Sequence, residues 1–197
     1  MGYIINDSLA FLHIPKTGGS WTLKVMGGGE RFAGQHSADP APDNFDGLVF
    51  TIVRDPLEWL RSFWTFLTIW GHSSSGTRFR GQPPELIDVE CWRPGCLFVE
   101  FIDRYIEKMP GAVCEMFREY VQHAGVVLQT ERLRSGLLDM RYCGGGLADS
   151  HELVHRVITA PPLKVADNAV KDRARLPTML ESDVRWAERE YYEGVAW

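Results

Sequence analysis

Residues 9–21 read LAFLHIPKTGGSW, and this stretch decides the fold class of the 197-residue chain. The apolar run at residues 9–12 predicts a buried β-strand, and two adjacent glycines, Gly18 and Gly19, follow it. Because glycine accepts positive φ and a close approach to the backbone, successive N–H groups there can point at one anion. The order of strand, glycine loop and helix therefore predicts an α/β fold with a phosphate-binding site at this loop.

The residues around the two glycines strengthen this prediction. Lys16 adds a positive charge, and Ser20 is predicted to cap the helix that follows, whose first N–H groups and positive dipole end face the same place. In ordinary nucleotide triphosphatases the lysine comes after the glycine loop, whereas Lys16 precedes Gly18 and Gly19. The order indicates a phosphate site of another kind.

A second strand and helix follow the same plan. Residues 48–53 form an apolar, β-rich run, and Asp55 and Pro56 then have the character of an N-cap and a first helical residue. Arg54 is left at the strand end, and Ser62 lies roughly 9 Å further along the helix axis. Ligands of open α/β sheets bind outside the carboxyl ends of the strands. Arg54 and Ser62 are therefore predicted to bind a second phosphate.

The rest of the chain completes an α/β domain. Residues 126–129 predict a third strand, and no internal repeat is visible. Helices are predicted at residues 96–109, 113–123, 131–142, 151–158 and 177–192. We expect one domain over residues 1–197, with a P-loop-like, mostly parallel sheet of four to five strands flanked by helices.

Residues 13–21 resemble the 5′-phosphosulfate loop of the sulfotransferases that use 3′-phosphoadenosine 5′-phosphosulfate (PAPS), and residues 53–64 resemble their 3′-phosphate segment. The loop is similar to that of the subgroup whose members begin it with His-Ile-Pro-Lys-Thr-Gly-Gly and mostly act on carbohydrates. Residues 129–133 and 180–192 resemble later parts of the family more loosely.

The resemblance implies a role for each matching residue. Lys16 would contact the bridging oxygen and steady the leaving phosphate, and Arg54 and Ser62 would hold the 3′-phosphate. The residues that would surround the 5′-phosphate and the sulfuryl group are Thr17, Gly18, Gly19, Ser20 and Trp21. Transfer to a hydroxyl in line with the leaving group needs positioning and charge stabilisation, which a lysine and backbone donors supply without a metal.

The reaction also needs a base for the acceptor hydroxyl. His36 is our candidate, because an unperturbed histidine has a pKa of about 6.5 and because the resembling subgroup commonly places a histidine after the first helix. His13 and Glu30 are the open alternatives. A histidine at the end of a buried strand is more often packed than catalytic, and some carbohydrate sulfotransferases resemble one another in using a glutamate.

Composition sets outer bounds. The chain is 45% hydrophobic and 24% charged, with a formal net charge of −5, which argues against a general binder of nucleic acid. No run approaches the roughly 18 to 20 apolar residues of a membrane span, and no signal peptide is evident, so we expect a cytoplasmic enzyme or a trimmed piece of a longer one. The four cysteines are expected to be thiols. Cys91 and Cys96 lack a second pair for a zinc site.

The sequence thus predicts sulfuryl transfer from PAPS to an acceptor hydroxyl. A carbohydrate acceptor is the first hypothesis, and a small metabolite or a lipid is the alternative. A P-loop kinase and a non-catalytic nucleotide-binding protein are the alternatives from other classes. A kinase would need a carboxylate for magnesium and the usual Gly-Lys-Ser/Thr order, and the chain offers neither clearly.

Overall fold

The computed structural model describes residues 1–33, 38–70, 87, 90–140, 151–161 and 176–194. The chain packs as two compact units. The first comprises Met1–Arg54 and Phe117–Lys164, and the second comprises Asp55–Met116 and Val165–Trp197. The first unit contains the β-sheet, and the described elements of the second are helices.

The sheet has five strands in the order β3-β1-β2-β4-β5. They are β1 Gly2–Asn6, β2 Leu9–Leu12, β3 Glu30–Arg31, β4 Leu48–Val53 and β5 Val126–Gln129. Strand β4 lies parallel to both β2 and β5, while β1 pairs antiparallel with β2 and β3. The predicted strands are therefore present at the predicted places, as β2, β4 and β5.

The sheet is mixed, so the prediction of a mostly parallel sheet is wrong at one edge. Strands β1 and β2 are joined by only Asp7 and Ser8, and the Ser8 N–H donates to Asn6 Oδ1 at 2.9 Å. A connection this short can only form an antiparallel hairpin, since a parallel pair needs a crossover of a dozen or more residues. Strand β3 then adds only two residues to the outer side of β1.

Helices follow the predicted ranges closely. They are α1 Gly19–Met26, α2 Pro56–Trp70, α3 Phe98–Lys108, α4 Ala112–Val121, α5 Leu133–Met140, α6 His151–Thr159, α7 Thr178–Ala187 and α8 Arg189–Gly194. A short 3₁₀ turn, Thr130–Arg132, precedes α5. Within the described ranges, no helix is both long enough and apolar enough to cross a membrane.

The core of the first unit joins the central strands to their helices. Phe11 of β2 and Phe50 of β4 are fully buried and stack with ring centroids 4.8 Å apart. Val25 of α1, Leu137 of α5 and Val157 of α6 belong to the same cluster. Full burial of each such side chain is worth about 1.5–3 kcal/mol, so this cluster holds α1, and the loop before it, against the sheet.

The two predicted helix starts had different outcomes. Asp55 caps α2 as predicted, since the Glu58 N–H donates to its Oδ1 at 3.0 Å. The prediction of Ser20 as a cap is wrong. Helix α1 begins at Gly19, and Gly18 is its N-cap with φ 89°, so Ser20 lies exposed inside the first turn. The left-handed conformation of Gly18, which glycine adopts readily, turns the chain into the helix before Ser20 is reached.

The helix predicted at residues 177–192 is interrupted at Glu188, which is fully buried. Its carboxylate accepts hydrogen bonds from the Gly111 N–H at 3.1 Å, the Cys114 N–H at 2.8 Å and the hydroxyl of buried Tyr105. Gly111 directly precedes α4 and Cys114 lies in its first turn, and a negative charge is favoured at this end of a helix. Burial raises the pKa of Glu188, although these hydrogen bonds act in the opposite direction.

We expect Glu188→Gln to lower the free energy of unfolding by about 1–3 kcal/mol, because the amide nitrogen cannot accept from one of the buried N–H donors. Denaturant unfolding measures the change. Glu193→Gln, at an exposed glutamate of α8, is the matched control. Equal stability of the two variants would contradict the structural role of the Glu188 carboxylate.

Candidate functional site

The candidate site lies where the three parallel strands end. The glycine loop of residues 13–18 follows β2, Arg54 follows β4, and Thr130 follows β5. Because β2, β4 and β5 are neighbours and parallel, their carboxyl ends meet at one edge of the sheet, which is where open α/β sheets bind ligands.

The loop is held in shape by buried threonines. The Thr17 hydroxyl donates to the Ile14 carbonyl at 2.8 Å, and the Thr22 hydroxyl donates to the Gly18 carbonyl at 3.2 Å. Both threonines are fully buried. Inside the turn that the contact from Thr17 to Ile14 closes, Lys16 has φ 67°, a left-handed conformation that costs a residue with a side chain about 1–3 kcal/mol. The surrounding loop imposes this conformation on Lys16.

Gly19 is required by the close approach of His13. A Cβ atom at residue 19 would lie 1.9 Å from Cδ2 and 2.1 Å from Nε2 of the His13 ring. The ring is 8% exposed and stacks on Phe11 with centroids 5.6 Å apart. His13 therefore occupies a packed position under the first turn of α1, and its ring fixes how closely that turn approaches β2.

The side chain of Arg54 contacts the backbone of Lys16, so two positively charged residues are neighbours at the glycine loop. The Arg54 Nη1 donates to the Lys16 carbonyl at 3.2 Å, and both residues are half-buried. Burial, and then the charge of Arg54, lower the pKa of Lys16 to about 8. Burial and the repulsion between the two cations also favour the binding of an anion. A bound anion would replace the solvation that Lys16 has lost and would offset the repulsion.

Backbone donors follow Lys16 three to five residues later in the chain. The N–H groups of Gly19, Ser20 and Trp21 open α1, and helix geometry gives them no carbonyl partner within the helix. The Trp21 side chain faces elsewhere, since its Nε1 donates to the Pro161 carbonyl at 2.8 Å and its ring lies 5.5 Å from the Arg134 guanidinium carbon. The contacts of the indole are therefore with Pro161 and Arg134, and the Trp21 group that could bind a ligand at the loop is its backbone N–H.

The other predicted site residues are Ser62, His36 and Glu30. Ser62 is half-buried in α2 and belongs to the second unit, so its pairing with Arg54 stays a prediction. His36, the predicted base, lies outside the described residues. Glu30 is exposed on β3, next to β1. The structure thus brings Lys16 and the glycine loop together with Arg54.

Sequence reasoning missed Thr130. Its hydroxyl oxygen lies 2.9 Å from the Thr17 carbonyl oxygen and 3.0 Å from that of Val53. Its position in the sequence could have indicated it, because Thr130 directly follows β5 as Arg54 directly follows β4. Nothing in its residue type distinguishes it from an ordinary helix-start threonine.

The His, Cys, Asp and Glu side chains of the described ranges bear on metal binding. No group of three or more His, Cys, Asp or Glu residues is placed there to hold a metal ion. Cys91, Cys96 and Cys114 are free thiols, and burial raises the pKa of Cys91 to about 11. Cys143 lies outside the described residues.

We expect Gly19→Ala to destabilise the protein by about 1–3 kcal/mol, because its Cβ would overlap the His13 ring and force the first turn of α1 away from β2. His13→Ala in the same chain should recover part of the loss. A double-mutant cycle of denaturant unfolding measures this coupling, and additive effects of the two substitutions would contradict the steric contact.

Comparisons with protein-family models, with curated proteins and with solved structures give no match to this chain.

Proposed function

We propose that the chain is a sulfotransferase with a P-loop-like fold, which moves the sulfuryl group of PAPS to an acceptor hydroxyl, first of all on a carbohydrate. The observation that supports it most directly is the pairing of Lys16 and Arg54 at the carboxyl ends of two adjacent parallel strands, beside the start of α1. A ligand with phosphates at two separate positions matches two cations that follow two different strands.

Lys16 and the α1 backbone serve the 5′ side in this proposal. The acceptor oxygen attacks sulfur, and the bond from sulfur to the bridging phosphate oxygen breaks with its electron pair, so negative charge grows on the leaving phosphate. A fixed ammonium group and backbone N–H groups stabilise such a charge without moving. With a pKa of about 8, Lys16 is mostly protonated at pH 7 and is a better proton donor than an ordinary lysine.

Arg54 serves the 3′ side. A guanidinium binds phosphate through two parallel N–H donors, and the hydrogen bond to the Lys16 carbonyl fixes where Arg54 lies. In this proposal Ser62 also binds the 3′-phosphate, as the sequence resemblance implies.

A base completes the reaction by accepting the proton of the acceptor hydroxyl. We assign this step to His36 on the sequence resemblance. The packing of His13 against Phe11 and under Gly19 argues against His13, because a base must reach the acceptor hydroxyl directly or through one water. Glu30, exposed on β3, is the second choice.

We expect calorimetric titration to give tight binding of 3′-phosphoadenosine 5′-phosphate, weaker binding of adenosine 5′-phosphate, and no advantage for ATP with magnesium. Arg54→Ala should weaken the first ligand by about 1.5–3 kcal/mol, roughly 10- to 150-fold, with little effect on the second. Lys16→Ala should lower the transfer rate more than the affinity. No preference for the 3′-phosphate would contradict the proposal, and tight magnesium-dependent ATP binding would favour a kinase.

Two exposed cations provide matched controls for those substitutions. Lys24 lies in the last turn of α1, and Arg93 lies in the second unit between Cys91 and α3. Lys24→Ala and Arg93→Ala remove the same charges from the protein, so they should leave the affinity for 3′-phosphoadenosine 5′-phosphate within about twofold at 0.15 M salt. Losses equal to those of the loop variants would indicate a general charge effect.

The affinity for 3′-phosphoadenosine 5′-phosphate should fall as pH rises through about 8. Free Lys16 loses its proton there, whereas a bound anion holds the proton and raises the pKa of Lys16. Binding at pH 8 to 9 should therefore take up a proton. Calorimetry in buffers of different ionisation enthalpy measures the uptake, which Lys16→Ala should abolish and Lys24→Ala should retain.

A further inference from the structure

Thr130 lies at a junction of three chain segments. Its hydroxyl is within hydrogen-bond distance of two carbonyl oxygens, that of Thr17 at 2.9 Å and that of Val53 at 3.0 Å. A hydroxyl has one hydrogen to donate, so the two carbonyls share it. One side chain at the end of β5 therefore contacts both the loop after β2 and the end of β4.

The two carbonyls sit next to the two cations of the site. Thr17 directly follows Lys16, and Val53 directly precedes Arg54. Both carbonyl oxygens lie about one hydrogen-bond length from the Thr130 hydroxyl oxygen, so this hydroxyl is a donor common to the two backbone segments that carry the cations. A third hydrogen bond, from Arg54 to the Lys16 carbonyl at 3.2 Å, joins the same two segments.

We propose that Thr130 is a positioning residue, whose hydroxyl sets the spacing between Lys16 and Arg54 and so sets the separation of the two phosphate groups that the site accepts. The inference rests on the proposed function. Its consequence is selectivity, because a ligand with a second phosphate gains from Arg54 only if that cation stays at a fixed distance from the glycine loop.

Loss of the Thr130 hydroxyl should change Lys16 in a defined way. Burial and the neighbouring charge of Arg54 are what depress the pKa of Lys16. When the Thr17 peptide is released, Lys16 becomes more solvated and moves away from Arg54. Its pKa should then rise from about 8 towards 10.5, which a role in strand stability alone would not cause.

Thr51 supplies the matched control. It is fully buried, and its hydroxyl donates to the Leu12 carbonyl at 2.7 Å, which also joins neighbouring parallel strands. Thr51→Val removes one threonine hydroxyl and one cross-strand hydrogen bond, as Thr130→Val does. It leaves the Thr17 and Val53 carbonyls with their donor.

The experiment compares Thr130→Val, Thr130→Ser and Thr51→Val with the parent protein. Trace acetylation with heavy acetic anhydride between pH 6 and 11, followed by complete light acetylation in denaturant and mass spectrometry, measures the pKa of Lys16 with no ligand present. Calorimetry then gives the affinities for 3′-phosphoadenosine 5′-phosphate and adenosine 5′-phosphate.

We expect the labelling rate of Lys16 at pH 7 to fall in Thr130→Val, by about tenfold for each unit that its pKa rises. The preference for 3′-phosphoadenosine 5′-phosphate over adenosine 5′-phosphate should fall roughly tenfold in the same variant, the fold-change of about 1.4 kcal/mol. Thr130→Ser should restore both values, and Thr51→Val should leave both unchanged even where it lowers the melting temperature.

A Lys16 profile in Thr130→Val identical to that of the parent would overturn the proposal, and so would an equal shift in Thr51→Val. If Thr130→Val does not fold, as judged by circular dichroism, Thr130→Ala carries the same comparison with a smaller side chain. If no variant and not even the parent prefers the 3′-phosphate, the proposed function fails, while the Lys16 profile still decides the role of Thr130.

Discussion

Two like charges held side by side are the constraint on which the site depends. Lys16 and Arg54 repel each other, and neither is fully solvated. They stay together because the Lys16 carbonyl accepts from Arg54 and because the loop backbone is fixed by the threonines around it. In the proposed function such a site is preorganised: the unfavourable contact between the cations is made during folding, so a bound anion would be attracted by both without bringing them together.

Preorganisation here also has a cost in backbone conformation. Lys16 takes a positive φ in a segment where its own carbonyl accepts from Arg54 and the next carbonyl, that of Thr17, accepts from Thr130. A glycine at residue 16 would adopt this φ freely but would remove the ammonium group. A lysine at this position therefore supplies a positive charge at the cost of an unfavourable backbone conformation.

The sequence predicted the elements whose signals are local. Strand β4 is a continuous apolar run, and Asp55 caps the helix after it with the expected hydrogen bond, because a cap depends only on residues a few positions away. Strands β1 and β3 were missed since their partners are supplied by the fold rather than by their own pattern. Thr130 and Glu188 were missed for a related reason: all of these hydrogen-bond partners lie 74 to 113 residues away in the chain.

The buried carboxylate of Glu188 also bears on the order of folding. A carboxylate leaves water only when other donors replace its hydration, and here most of those donors are N–H groups that face Glu188 once the first turn of α4 exists. We therefore expect α7 and α8 to dock late, after α3 and α4 have formed their turn. Since these closing helices are the last part of the described chain to be synthesised, their docking would follow the order in which the ribosome delivers them.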